Sequence, residues 1–159
     1  MKKNITVLLL TALIFALASC AKNAEPSLTC AQITESVTEN LPDGAPAVTP
    51  ITDKEMLEDI LGYDTSLAAD MSVVTQLISV DLFELSVIRP AKGCSDAVKE
   101  QLGKRLAFLK EQAAYYPQQV EAASAALTGE YKGCCYLICD KSAQDIEEQL
   151  KETIGGTRQ

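Results

Sequence analysis

The stretch Val73-Val74-Thr75-Gln76-Leu77-Ile78, followed by Phe83-Glu84-Leu85-Ser86-Val87-Ile88, decides the fold. Both runs are rich in β-branched and aromatic residues, and the second alternates Phe83, Leu85 and Val87 with Glu84, Ser86 and Ile88. They predict two antiparallel strands joined around Ser79-Val80-Asp81. The join lacks an Asn-Gly signal, so the pattern leaves the register open. Pro90-Ala91-Lys92-Gly93 closes the pair. Glu84 is then an acid inside a strand. If the face it shares with Leu82, Ser86 and Ile88 is covered, it needs a partner such as Arg89 or a tyrosine; if that face is bare, it is merely solvated.

Downstream the theme returns. A long helix is expected from about Ser95 to Tyr116, with Val98, Leu102, Leu106, Leu109 and Ala113 on one stripe and charges off it. Pro117 opens a short helix to about Ala123. Strands follow at Ala125–Glu130 and Cys134–Cys139 around a Tyr131-Lys132-Gly133 turn, then a helix capped by Ser142 with Ile146, Leu150 and Ile154 as its stripe. Strand, strand, helix thus occurs twice. Asp96-Ala97-Val98-Lys99-Glu100-Gln101-Leu102 is similar in pattern to Gln144-Asp145-Ile146-Glu147-Glu148-Gln149-Leu150. A duplicated ββα unit is one reading of this, and ordinary helix composition is the other.

Upstream, Thr29 and Gln32 form a capping box for a helix through Ile33, Val37 and Leu41, ended by Pro42-Asp43-Gly44. Ala45 to Pro50 reads as a loop. Thr52 and Glu55 form a second box before a short helix through Leu57, Ile60 and Leu61, stopped by Gly62. The expected fold is α+β: a four-stranded antiparallel sheet with helices on one face, preceded by an N-terminal helix, in a single domain over residues 29–154 with a tail at 155–159.

The first residues carry an address. Lys2 and Lys3 precede an apolar run from Ile5 to Leu17, and the run leads into Leu17-Ala18-Ser19-Cys20. A basic start, a short apolar stretch and small residues before a cut site read as a secretory signal over residues 1–19; a bilayer span needs about 20 apolar residues. The Leu-Ala-Ser-Cys end resembles a bacterial lipobox. That resemblance implies cleavage between Ser19 and Cys20 and a diacylglycerol on the Cys20 sulfur, leaving residues 20–28 as lipidated N-terminus and tether. Two acyl chains hold a protein firmly where one holds it marginally. The expected location is the outer face of the cell membrane.

Composition narrows the functions. The 159 residues hold 14 Lys+Arg and 22 Asp+Glu, a net charge of −8, and loss of Lys2 and Lys3 with the signal takes this to −10. Nucleic-acid binding requires clustered cations, so no nucleic-acid partner is expected. Histidine is absent, which removes the commonest general base and metal ligand and any Ser-His-Asp triad. No Gly-rich phosphate loop is present. No catalytic residue, metal or cofactor is assigned.

Five cysteines remain beside Cys20: Cys30, Cys94, Cys134, Cys135 and Cys139. They contain no Cys-x-x-Cys pair, so thioredoxin and zinc-ribbon spacings are missing. The last three read as small core hydrophobes, with a structural disulfide as the alternative; Cys135, Leu137 and Cys139 share one strand face. Cys94 precedes a helix start, where N–H groups and the dipole favour a thiolate, and is the candidate reactive thiol. Tyr115-Tyr116-Pro117 reads as core and helix-break material, with a recognition patch as the alternative.

Taken together, the lipobox, Phe83–Ile88, the helix into Tyr115-Tyr116-Pro117 and the hairpin from Gly129-Glu130-Tyr131 to Cys139-Asp140 resemble an uncharacterised family of Gram-positive bacterial lipoproteins, known only as a domain of unknown function. The Cys134-Cys135 pair and the Lys132-Gly133 turn depart from that family's simpler Gly-x-Tyr-plus-apolar strand. The resemblance implies a membrane-tethered outer-face domain and no activity. The expected function is a non-enzymatic binding or interaction module, with an envelope protein or small ligand as partner. The alternative is a thiol-dependent redox or enzymatic protein using Cys94 or the Cys134/Cys135/Cys139 cluster.

Overall fold

The computed structural model describes residues 28–41, 47–76 and 81–156. Among the described residues, five antiparallel strands form one open sheet in the order β1-β2-β3-β5-β4. They are β1 (Thr49–Ile51), β2 (Ala68–Thr75), β3 (Glu84–Pro90), β4 (Leu127–Tyr131) and β5 (Cys134–Cys139). The helices are α1 (Cys30–Thr38), α2 (Ser95–Glu111), α3 (Pro117–Ala125) and α4 (Ala143–Gly155). A π-helical turn at Met56–Ile60 and a 3₁₀ turn at Thr65–Leu67 lead into β2. The class is therefore α+β, with five strands rather than the four expected.

The added strand is β1, in the segment read as a loop because it holds two prolines. Pro50 stands opposite Val74, and among the described residues β1 pairs only with β2. At a sheet edge a proline's missing N–H disturbs no second neighbour.

The helices cover both faces of the sheet, against the expectation of one. On one face α1 and α4 bury Cys30, Ile33, Val37, Ile146 and Leu150 against Phe83, Leu85, Val87, Cys134, Tyr136 and Ile138. On the other, α2, α3 and the π-helical turn bury Val98, Leu102, Leu109, Ala122, Leu57 and Leu61 against Val73, Ile88, Cys135, Leu137 and Cys139. All six residues of β5 are buried. That uninterrupted Cys134–Cys139 run is what a strand covered on both faces requires.

The duplicated ββα unit also fails. A two-fold axis exchanging the antiparallel neighbours β3 and β5 must stand perpendicular to the sheet, and such an axis keeps each face on its own side. A true repeat would put α2 and α4 on the same face, whereas they lie on opposite faces.

Local chemistry explains most boundaries. Thr29 and Gln32 cap α1 reciprocally, with Gln32 N donating to Thr29 Oγ1 at 3.2 Å and Thr29 N to Gln32 Oε1 at 2.9 Å. Asp53, rather than Thr52, caps the next turn by accepting from Met56 N at 2.8 Å. α2 ends at Glu111, short of Tyr116, and Tyr116 is extended (ψ 153°), as a residue before proline must be. Lys132 and Gly133 both take positive φ (47° and 78°) between the paired Tyr131 and Cys134, a two-residue turn that fits the strand twist. Ser142 precedes α4 without a side-chain cap; Asp140 accepts from Ser142 N at 2.7 Å instead. The join between β2 and β3 runs from Thr75 to Glu84, which face each other, so it is a longer loop than a tight hairpin. Residues 77–80 of it, the segment 1–19 expected to be a signal, and Ser19 and Cys20 of the expected cleavage site lie outside the described residues.

Candidate functional site

Glu84 opens β3 on the α2 face and is 1% exposed. The covered-face expectation for this acid holds, and so does a tyrosine partner, Tyr63, but the cation is Arg105 and not Arg89. Arg105 Nη2 donates to Glu84 Oε2 at 2.6 Å and Nε reaches both carboxylate oxygens at 3.1 Å. Tyr63 OH donates to Glu84 Oε1 at 2.7 Å and also lies 2.7 Å from Ser86 Oγ. The pair is thus hydrogen-bonded on every side, the condition under which a buried ion pair repays its desolvation. Burial first, and the Glu84 charge second, push the Tyr63 hydroxyl well above its ordinary range, so it remains a donor. Burial alone would lower the Arg105 guanidinium, but its bonds to Glu84 outweigh this and raise it.

Arg105 is one of the charges expected off the apolar stripe of α2. It is one helical position from the buried stripe and only 11% of its side chain is exposed. The signal that could have found it is the strand acid itself, since a buried carboxylate calls for a cation from the covering helix.

Arg105 also lies 5.1 Å from the centroid of the Phe108 ring. Both line a groove of about 460 Å³ between α2 and the segment 59–67. Asp59, Ile60, Asp64, Glu100 and Lys104 complete its rim. Gln101 Oε1 accepts from Asp64 N at 2.6 Å, tying the two walls together. Such dimensions lie within the range of ligand sites.

A second ion pair stands at the other end of the sheet. Arg89 pairs with Asp70 at 3.3 Å and donates to Leu28 O, while Cys30 N donates to Asp70 Oδ2 at 2.8 Å. These bonds fasten the start of α1 to β2 and β3.

The cysteines divide by exposure. Cys30, Cys134, Cys135 and Cys139 are buried, and all five described cysteines carry free thiols. Burial pushes the thiols of Cys30 and Cys139 up to about 12 and raises those of Cys134 and Cys135. Cys134 faces α1 and α4 while Cys135 and Cys139 face α2, so the three do not form one cluster. Cys94 is half-buried at the N-cap of α2, with Sγ 4.0 Å from Lys92 O. The tyrosines of Tyr115-Tyr116-Pro117 are exposed, Tyr115 by 82%, which corrects their reading as core.

Among the described residues no three His, Cys, Asp or Glu side chains gather as a metal site, and no helix is long and apolar enough to cross a membrane. Searches of family models, curated proteins and solved structures find no match to this chain.

Proposed function

We propose that this protein is a lipid-anchored, non-enzymatic binding module at the outer face of the cytoplasmic membrane, of the kind implied by its resemblance to the uncharacterised Gram-positive lipoproteins. The observation that carries the location is Leu17-Ala18-Ser19-Cys20 behind a basic start and a short apolar run. Cys20 bears the lipid, and palmitate-type chains hold an acidic domain that anionic lipid would otherwise repel. The groove beside Arg105 supports a binding role, because its polar and apolar groups converge on one concave surface. Catalysis through the strand cysteines is disfavoured by burial, which opposes the thiolate a nucleophile needs. Cross-linking in intact membranes followed by affinity capture tests the reading. A partner or ligand enriched reproducibly above a control lipoprotein is expected; capture of nothing above background would overturn it.

A further inference from the structure

We infer that the groove between α2 and the π-helical turn takes an extended peptide segment carrying a basic side chain next to an apolar one. This rests on the binding-module reading and names its ligand class. The π-helical turn supplies the first reason. In an α-helical turn Leu57, Ile60 and Leu61 would share one buried stripe. The wider turn closes with Leu61 N on Met56 O at 3.0 Å, and it leaves Leu57 and Leu61 buried while Ile60 stands 67% exposed on the groove rim. Phe108, 41% exposed, borders the same groove. Two large apolar side chains are therefore held toward solvent across a concave surface that leaves them a partner's apolar group to bury.

The charges supply the second. Glu100 is matched by Lys104 at 2.7 Å, and Arg105 is matched by Glu84 behind it. Asp59 and Asp64 remain, and among the described residues neither forms a salt bridge. Asp64 accepts from Ser66 N at 2.9 Å and Ser66 Oγ at 2.6 Å, which fixes its carboxylate at the rim. The rim charge left without a salt bridge is negative and complements an ammonium or guanidinium, while the acidity of the whole chain steers a cationic partner inward.

Shape supplies the third. The groove follows α2 from Ala97 to Phe108, about 16 Å of helix, which matches about five residues of extended chain.

The test is photo-cross-linking of the full chain in zwitterionic nanodiscs with a capped leucine-lysine-leucine-lysine peptide, its leucine-glutamate counterpart, and empty nanodiscs as control. Adducts at residues 59–67 and 97–108 are expected with the lysine peptide alone, with at least a tenfold loss of apparent affinity in Asp59→Lys and in Ile60→Ser. Both positions are exposed, and retention of the wild-type thermal transition verifies folding. Equal labelling by the acidic peptide, adducts elsewhere, or unchanged affinity in both variants would overturn the assignment. Should membrane capture still retrieve a partner equally from wild type and Asp59→Lys, the groove would be wrong and the binding-module reading would stand; capture of nothing would end both.

Discussion

Removing the Arg105 guanidinium would strand the Glu84 carboxylate in a site 1% exposed. Arg105→Met is therefore expected to cost about 3–5 kcal/mol in urea unfolding, while Glu84→Met combined with Arg105→Met recovers much of the loss because no charge is left buried. A double variant as unstable as the single would contradict this account of the pair. The thiols give a second prediction. Cys30 and Cys139 titrate near 9 when unfolded and near 12 when folded, so between those values the folded state holds more protons than the unfolded. Stability is then full below about pH 9 and falls as pH rises toward 12, with a limiting slope of about 1.4 kcal/mol per pH unit for each thiol. Tyr63, raised in the same direction, adds to the fall above about pH 10. Unfolding free energies that stay level from pH 8 to 11 would refute it. Thiol labelling of the folded chain should modify Cys94 first and reach the buried Cys30, Cys134, Cys135 and Cys139 only on unfolding.

Among the elements, β4 and β5 meet at a position that only glycine fits. A Cβ at Gly129 would stand 2.3 Å from Tyr136 Oη, and that hydroxyl is fixed by donating to Glu147 Oε1 at 2.7 Å. Gly129→Ala must push the ring off Glu147 or bend the strand, and about 1–3 kcal/mol of destabilisation is expected in the same urea assay. Wild-type stability would show that the ring moves freely. The legible parts of the fold were those set by local chemistry: the Thr29–Gln32 box, the Lys132-Gly133 turn, the stripe Val98–Leu102–Leu109 and the alternation in Phe83–Ile88. What escaped the sequence depends on tertiary placement. Pro50 hides a strand because edge position is a property of the assembled sheet. The second helical layer was implied by the unbroken apolar Cys134–Cys139, yet alternation in β3 is compatible with either one or two covered faces. The π-helical turn has no composition of its own, so the sequence groups Ile60 with Leu57 and Leu61 in one helical run. The strand pattern of Glu84 leaves open a solvated acid or a buried one paired with Arg89 or a tyrosine; Arg105 is distant in sequence and only packing brings α2 to it.

At the scale of the molecule, one end of the sheet gathers the chain's entry. Leu28 is bound there by Arg89, and the β3–α2 loop with Lys92 and the β4–β5 turn with Lys132 leave the strands at that same end. A chain of this length from Cys20 to Leu28 spans at most about 28 Å when fully extended. A lipidated Cys20 would keep this end nearest the membrane. The exposed Tyr115 lies beyond the opposite end of α2. In vesicles holding a headgroup quencher, a dye at Lys132→Cys should be quenched more strongly than one at Tyr115→Cys; equal quenching would mean that the domain tumbles freely on its tether. The proposed membrane location depends on the sulfur at position 20. Intact-mass spectrometry of the protein extracted from its native membrane should return a chain beginning at Cys20 and carrying a diacylglycerol, whereas a chain that begins at Met1, or one that leaves the membrane unmodified, would contradict it.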